Sequence, residues 1–144
     1  MPSVTYTTTA SPAKVWSILS NGWLYSSWVV GASRIRSVDE TWPQAGSRIH
    51  HSVGTWPLLL DDITVSRESS AGSLILTAHA SPVGKARIEL TIEKHEHGAQ
   101  VTMAEHAESL WMRWIPDSAQ HVAMAPRLRE CLRRLTLLAE NGAH

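Results

Sequence analysis

Between Lys85 and Lys94 the chain alternates without a break: Ala86, Ile88, Leu90 and Ile92 are apolar, and Arg87, Glu89, Thr91 and Glu93 between them are polar. A period of two belongs to a β-strand, and this strand has one dry face and one wet face. A dry face has to be covered by another element. The cover is found in the last third of the chain, where the period changes. Val122, Ala125, Leu128, Leu132, Leu135 and Ala139 recur at threes and fours, the apolar stripe of a long amphipathic helix. Arg127, Arg129, Glu130, Arg133 and Arg134 fall on its other face, with Glu130 spaced to pair with Arg134 one turn on. Asp117-Ser118 looks like its cap and Asn141-Gly142 like its stop, so Pro126 falls inside the helix and predicts a kink near Val122.

The remaining segments supply more strands. Val4–Thr9 is rich in β-branched residues, and Ser11-Pro12 then starts a helix through Val15, Trp16, Ile18 and Leu19 that Asn21-Gly22 stops. Gly22–Trp28 is a second short helix or turn. Strands follow at 33–38, 47–53, 58–67, 73–80, 85–94 and 99–108, separated by turn chemistry such as Ala71-Gly72 and His97-Gly98. The expected class is α+β: a curved antiparallel sheet of about seven strands around one long C-terminal helix, forming a single domain over residues 1–144. Because a helix covers a bent sheet along one line only, space beside it is a candidate pocket.

Charge and composition narrow the function. Thirteen basic and 13 acidic side chains cancel, which gives no electrostatic reason to expect nucleic acid as a partner. No apolar run is long enough to insert into a bilayer, and the start Met-Pro-Ser-Val has no secretory character. One cysteine, Cys131, allows no internal disulfide and fits a reducing cytoplasm. The aromatic set is seven Trp, two Tyr and no Phe, and Trp suits cavity walls and rims where a polar edge must be met.

The segments Ala10-Ser11-Pro12-Ala13-Lys14-Val15-Trp16, Trp28-Val29-Val30-Gly31-Ala32-Ser33-Arg34-Ile35, Gly46-Ser47-Arg48-Ile49-His50-His51-Ser52-Val53-Gly54 and Arg129-Glu130-Cys131-Leu132-Arg133-Arg134-Leu135 occur in the order and spacing of a known superfamily. The chain resembles the START-like (SRPBCC) superfamily, in its bacterial polyketide cyclase/dehydrase branch, over essentially its whole length. The resemblance implies a helix-grip fold enclosing a cavity for a hydrophobic or aromatic small molecule. The superfamily includes lipid carriers, plant hormone receptors, aromatic polyketide cyclases and ring-hydroxylating oxygenase domains. The Cys-His and His-His spacing of a Rieske cluster and a non-haem iron triad are both missing from the sequence, so no cofactor or metal is expected.

Strand parity then nominates inward side chains. Val101 and Met103 carry Glu105 to the inner face, Ile49 and Val53 carry His51, and Leu59, Ile63 and Val65 carry Asp61. A buried carboxylate near an imidazole would anchor a ligand or exchange protons with it. The candidate ligand-binding set is Trp28, His51, Trp56, Asp61, Met103, Glu105, Trp111 and Leu128. His95-Glu96-His97 is a hairpin tip, and Cys131 a small core or groove residue. Three functions compete: binding of a small hydrophobic, lipid- or polyketide-like molecule by a monomer or homodimer, a cyclase/dehydratase-type enzyme using His51 with Asp61 or Glu105, and a non-catalytic interaction domain with a filled interior.

Overall fold

The computed structural model describes residues 2–53, 60–80, 84–108 and 114–142. The chain forms β1 (Ser3–Thr8), α1 (Pro12–Leu19), a 3-10 turn (Gly22–Leu24), α2 (Tyr25–Trp28), β2 (Ala32–Val38), β3 (Arg48–Val53), β4 (Leu60–Ser70), β5 (Ser73–Ala80), β6 (Gly84–His95), β7 (Gly98–Ala107) and α3 (Asp117–Glu140). All seven strands join one antiparallel sheet in the order β1-β7-β6-β5-β4-β3-β2. Consecutive strands from β2 to β7 are neighbours, and β1 closes onto β7. Register shifts within the β2–β3 and β4–β5 pairs mark bulges, which bend and twist strands.

Local chemistry explains the helices. Ser11 Oγ accepts from the Lys14 amide at 3.2 Å, with Pro12 at the first helical position of α1. Trp42 Nε1 donates to the Leu19 carbonyl at 3.2 Å, satisfying an end that α1 alone leaves open. Gly98 lets two strands meet closely, since a Cβ there would stand 1.9 Å from the Thr8 carbonyl oxygen. Helix α3 packs against β1, β7, α1 and α2, with Leu128, Cys131, Leu132 and Leu135 fully buried. Its contacts therefore concentrate on one side of the sheet, and the β3–β5 side of its first half is left less covered.

Three sequence expectations are corrected. Val122 does not extend the apolar stripe: it is 74% exposed, and Gln120 is the buried residue of that turn, donating from Nε2 to the Ile115 carbonyl at 2.8 Å. The helix does span Pro126, but Pro116 rather than Asp117 or Ser118 occupies the cap position.

The third correction concerns Asp61. Residues directly opposite across an antiparallel pair share a face, and His51 pairs with Asp62 while Ile49 pairs with Thr64. Strand β4 thus turns Asp62, Thr64 and Ser66 inward and Asp61 outward, where the Asp61 side chain is 64% exposed beside Arg36. Apolar Ile63 and Val65 misdirect the parity argument because the inward polar groups have partners: Thr64 bonds His51 and Tyr25, and Ser66 donates to the Pro43 carbonyl at 2.7 Å.

Candidate functional site: a cavity between sheet and helix

A cavity of about 380 Å³ lies between the first half of α3 and the sheet. Its walls are Tyr25 of α2, Val29–Ala32 on the way into β2, His51 of β3, Ala78 and His79 of β5, Ala86 and Ile88 of β6, Glu105 of β7, and Ala123, Met124 and Arg127 of α3. Small residues make the room. Ala78 stands opposite Ala86, and Ala86 opposite Ala107, so one row of the sheet carries three alanines. The wall at 29–32 depends on Gly31, whose φ of +108° lies where side chains are strained.

Two polar groupings interrupt this apolar surface. In the first, Arg127 Nη1 donates to both Glu105 carboxylate oxygens at 2.9 and 2.8 Å, and Arg127 Nε donates to the Val30 carbonyl at 3.1 Å. Glu105 is buried, and a buried carboxylate needs such a partner. Burial is the largest single influence and works against the guanidinium charge, but the Glu105 carboxylate, with smaller help from Cys131 and Tyr25, carries the Arg127 pKa above the ordinary arginine value. The same three bonds tie α3, β7 and the 29–32 wall together.

The second grouping is a chain. His51 Nε2 lies 2.8 Å from Thr64 Oγ1, which donates to Tyr25 Oη at 3.1 Å. The Tyr25 ring stacks on His51 at 5.4 Å and 28°, while Trp28 meets Tyr25 edge-on at 5.6 Å. Burial pushes the Tyr25 phenol up to about 12, against the opposing pulls of the Thr64 hydrogen bond and the Arg127 charge. Burial also holds the His51 pKa below its ordinary value, outweighing the nearby Asp62 carboxylate. His51 Nδ1 is buried without a hydrogen bond of good geometry among the described residues, the Ser52 backbone lying near enough only to nudge its basicity upward. Both rings are therefore neutral at pH 7.

Of the residues singled out from sequence, His51 and Glu105 line this cavity. Trp28 is buried behind Tyr25, and Met103 and Leu128 are fully buried in the core without reaching the cavity wall. Trp56 and Trp111 lie outside the described residues. Asp61 is on the far face of the sheet, where it accepts from Ser52 Oγ at 3.0 Å, so no His51–Asp61 pair exists. The described tryptophans do not form the walls: Trp28 and Trp42 are core residues, Trp16 is partly buried against the core, and Trp23 and Trp114 are exposed. Cys131 Sγ is buried, accepts from the Val30 amide at 3.4 Å, and has its thiol pKa raised by burial. Two lining residues with polar roles, Arg127 and Tyr25, escaped sequence reasoning, as did Thr64 behind them. Arg127 flanks the apolar stripe next to Leu128, and Tyr25 is the one tyrosine of the Trp-rich segment, a weak signal in each case.

Among the described residues no three His, Cys, Asp or Glu side chains come together as metal ligands, and no helix is long and apolar enough to cross a membrane. A mostly apolar space with a few fixed polar groups is the general form of a small-molecule site.

Known structures share this architecture. Protein NE0264 from Nitrosomonas europaea superposes with a TM-score of 0.73 at 16% identity, over 97% of this chain and 94% of that one. Ara h 8.0201 gives 0.71 at 12% identity, with 96% of each chain covered. The di-domain ARO/CYC StfQ from the steffimycin biosynthetic pathway gives 0.70 at 8% identity over 98% of this chain, which spans 50% of StfQ. At such identities the likeness concerns the fold, which is the helix-grip arrangement. No curated protein matches the sequence. The profile of the family described as polyketide cyclase / dehydrase and lipid transport, however, matches residues 1–140, and the chain belongs to that family.

Proposed function

We propose that this protein binds a small hydrophobic or aromatic molecule, lipid- or polyketide-like, in the cavity between α3 and the sheet. The observation that carries the reading is the cavity itself: about 380 Å³ of space, apolar over most of its wall, with Glu105–Arg127 and His51–Thr64–Tyr25 as its polar points. The family description and the ARO/CYC structure of StfQ support a ligand of this class. A filled interior, which an interaction domain would favour, is at odds with the alanine row. An enzyme using His51 with Glu105 has less support, because Arg127 occupies both carboxylate oxygens in the manner of a structural anchor. The balanced charge and the lone buried cysteine fit a cytoplasmic carrier or receptor without nucleic acid as a partner.

Titration of the ¹⁵N-labelled protein with two-ring aromatics and a long-chain fatty acid tests this. Saturable shifts should concentrate on the amides of Val30, Gly31, Ala32, Ala123 and Met124. A panel that moves none of these amides would overturn the reading.

A further inference from the structure

Thr64 is fully buried on β4, and its hydroxyl joins two side chains that line the cavity. A hydroxyl carries one proton. Thr64 Oγ1 donates it to Tyr25 Oη, so only lone pairs remain to face His51 Nε2 at 2.8 Å. The imidazole proton is then on Nε2, and Nδ1 is the bare nitrogen. At the other end, Tyr25 Oη already accepts from Thr64, and among the described residues its own proton has no acceptor. A buried phenol with an unused proton, on the wall of an apolar space, is a donor waiting for an oxygen.

Resting on the cavity-binding reading above, we infer that Tyr25 is the specificity-determining residue: its Oη–H meets a carbonyl-type acceptor on the bound molecule, and Thr64 leaves that proton free by filling the acceptor side of the phenol. A ligand of the same shape without the oxygen leaves the donor buried and unmatched, and such mismatches are what polar sites discriminate against. Thr64 acts through Tyr25 and His51 as a positioning residue. The aromatic stack of Tyr25 on His51, with Trp28 against its edge, holds the phenol in place for this role.

The test uses two probes of matched shape, 2-acetylnaphthalene with its carbonyl and 2-isopropenylnaphthalene without one, titrated by calorimetry into the intact protein. The carbonyl compound should bind about tenfold more tightly, a typical value of one buried hydrogen bond. Tyr25→Phe should bind both equally. Equal affinities in the native protein, or a preference that survives in Tyr25→Phe, would overturn the inference while leaving the cavity reading intact. Failure of both probes to saturate would remove the cavity reading, and the inference with it. A second measurement does not depend on any variant at the phenol: ¹⁵N shifts of the His51 ring, identified by their loss in His51→Phe. They should show Nε2 protonated and Nδ1 bare. A proton on Nδ1 would mean that the chain runs the other way, with the Tyr25 proton given to Thr64, and would overturn the assignment.

Discussion

Two rows of the same sheet face α3 and do opposite things. Val4, Met103, Leu90 and Leu74 stand directly opposite one another across β1, β7, β6 and β5, all buried and packed into the core. Four residues further along β6, Ala107, Ala86 and Ala78 occupy the corresponding positions, and there Ala86 and Ala78 line the cavity. The strands and their pairing are the same in both rows; side-chain volume differs. The helix divides in parallel: Leu128, Leu132 and Leu135 are buried, whereas Ala123, Met124 and Arg127 border open space. The hollow is thus written in residue size along one edge of a regular scaffold, and the two ends should respond differently to the same kind of mutation.

The largest expected effect is at the filled end. Leu90→Ala should lower stability by about 2–5 kcal/mol in urea unfolding, since a close-packed core relaxes poorly around a lost side chain. A loss well under 1 kcal/mol would mean that the two rows are packed alike, and the contrast would fail.

This contrast also shows what could be read from the sequence. The alternation of Ala86, Ile88, Leu90 and Ile92 and the stripe from Ala125 to Ala139 imply a one-faced sheet covered by a long helix, because burial imposes its period on any strand or helix packed on one face. The site was legible only in part. His51 and Glu105 follow from parity, which holds where strands carry apolar inner faces. Parity fails on β4, whose inner face is the polar set Asp62, Thr64 and Ser66, each with a partner supplied from elsewhere in the fold or from its own strand. Its spacing puts Arg127 on the wet face of α3, but a long side chain at the flank of a stripe can reach round to a buried carboxylate. Partners on other elements decide the cases of Thr64, Ser66 and Arg127, and no local pattern contains them.

Next in size is the ion pair at the cavity end. Arg127→Met leaves Glu105 buried without its partner, and should cost about 2 kcal/mol, a reduced value for a broken buried pair because the Arg127 side chain is 37% exposed. Adding Glu105→Leu should recover most of that loss, since the penalty comes from the stranded carboxylate. A double variant no more stable than Arg127→Met would show that the arginine matters through its Val30 bond instead.

A smaller effect is set by pH. His51 is held neutral by burial, so its folded-state pKa lies below the unfolded value of about 6.5. The unfolded chain then binds the extra proton first as pH falls. The stability that neutral His51 provides is complete above pH 6.5 and is lost progressively as the pH drops from there through the folded-state pKa. Unfolding in urea at pH 7.5 and pH 5 should give a larger drop for the native protein than for His51→Phe, the other seven histidines being common to both. Equal drops would mean that the buried ring takes up its proton in place.

The smallest effect on stability is expected where the sheet faces the hollow. Ala86→Leu adds to the cavity wall the bulk that Leu90 contributes to the core. Because the new side chain enters open space, stability should stay within about 1 kcal/mol of the native value, unlike the 1–3 kcal/mol typical of overpacking a filled interior. The naphthalene probes should then fail to bind, since the added volume takes the room they need. A large loss of stability would show that the alanine row is already packed. Undiminished binding would move the ligand elsewhere. Either result would dissolve the distinction between the two rows, because it is the difference in free volume, with the same backbone beneath, that separates the filled half of this sheet from the half that faces the cavity.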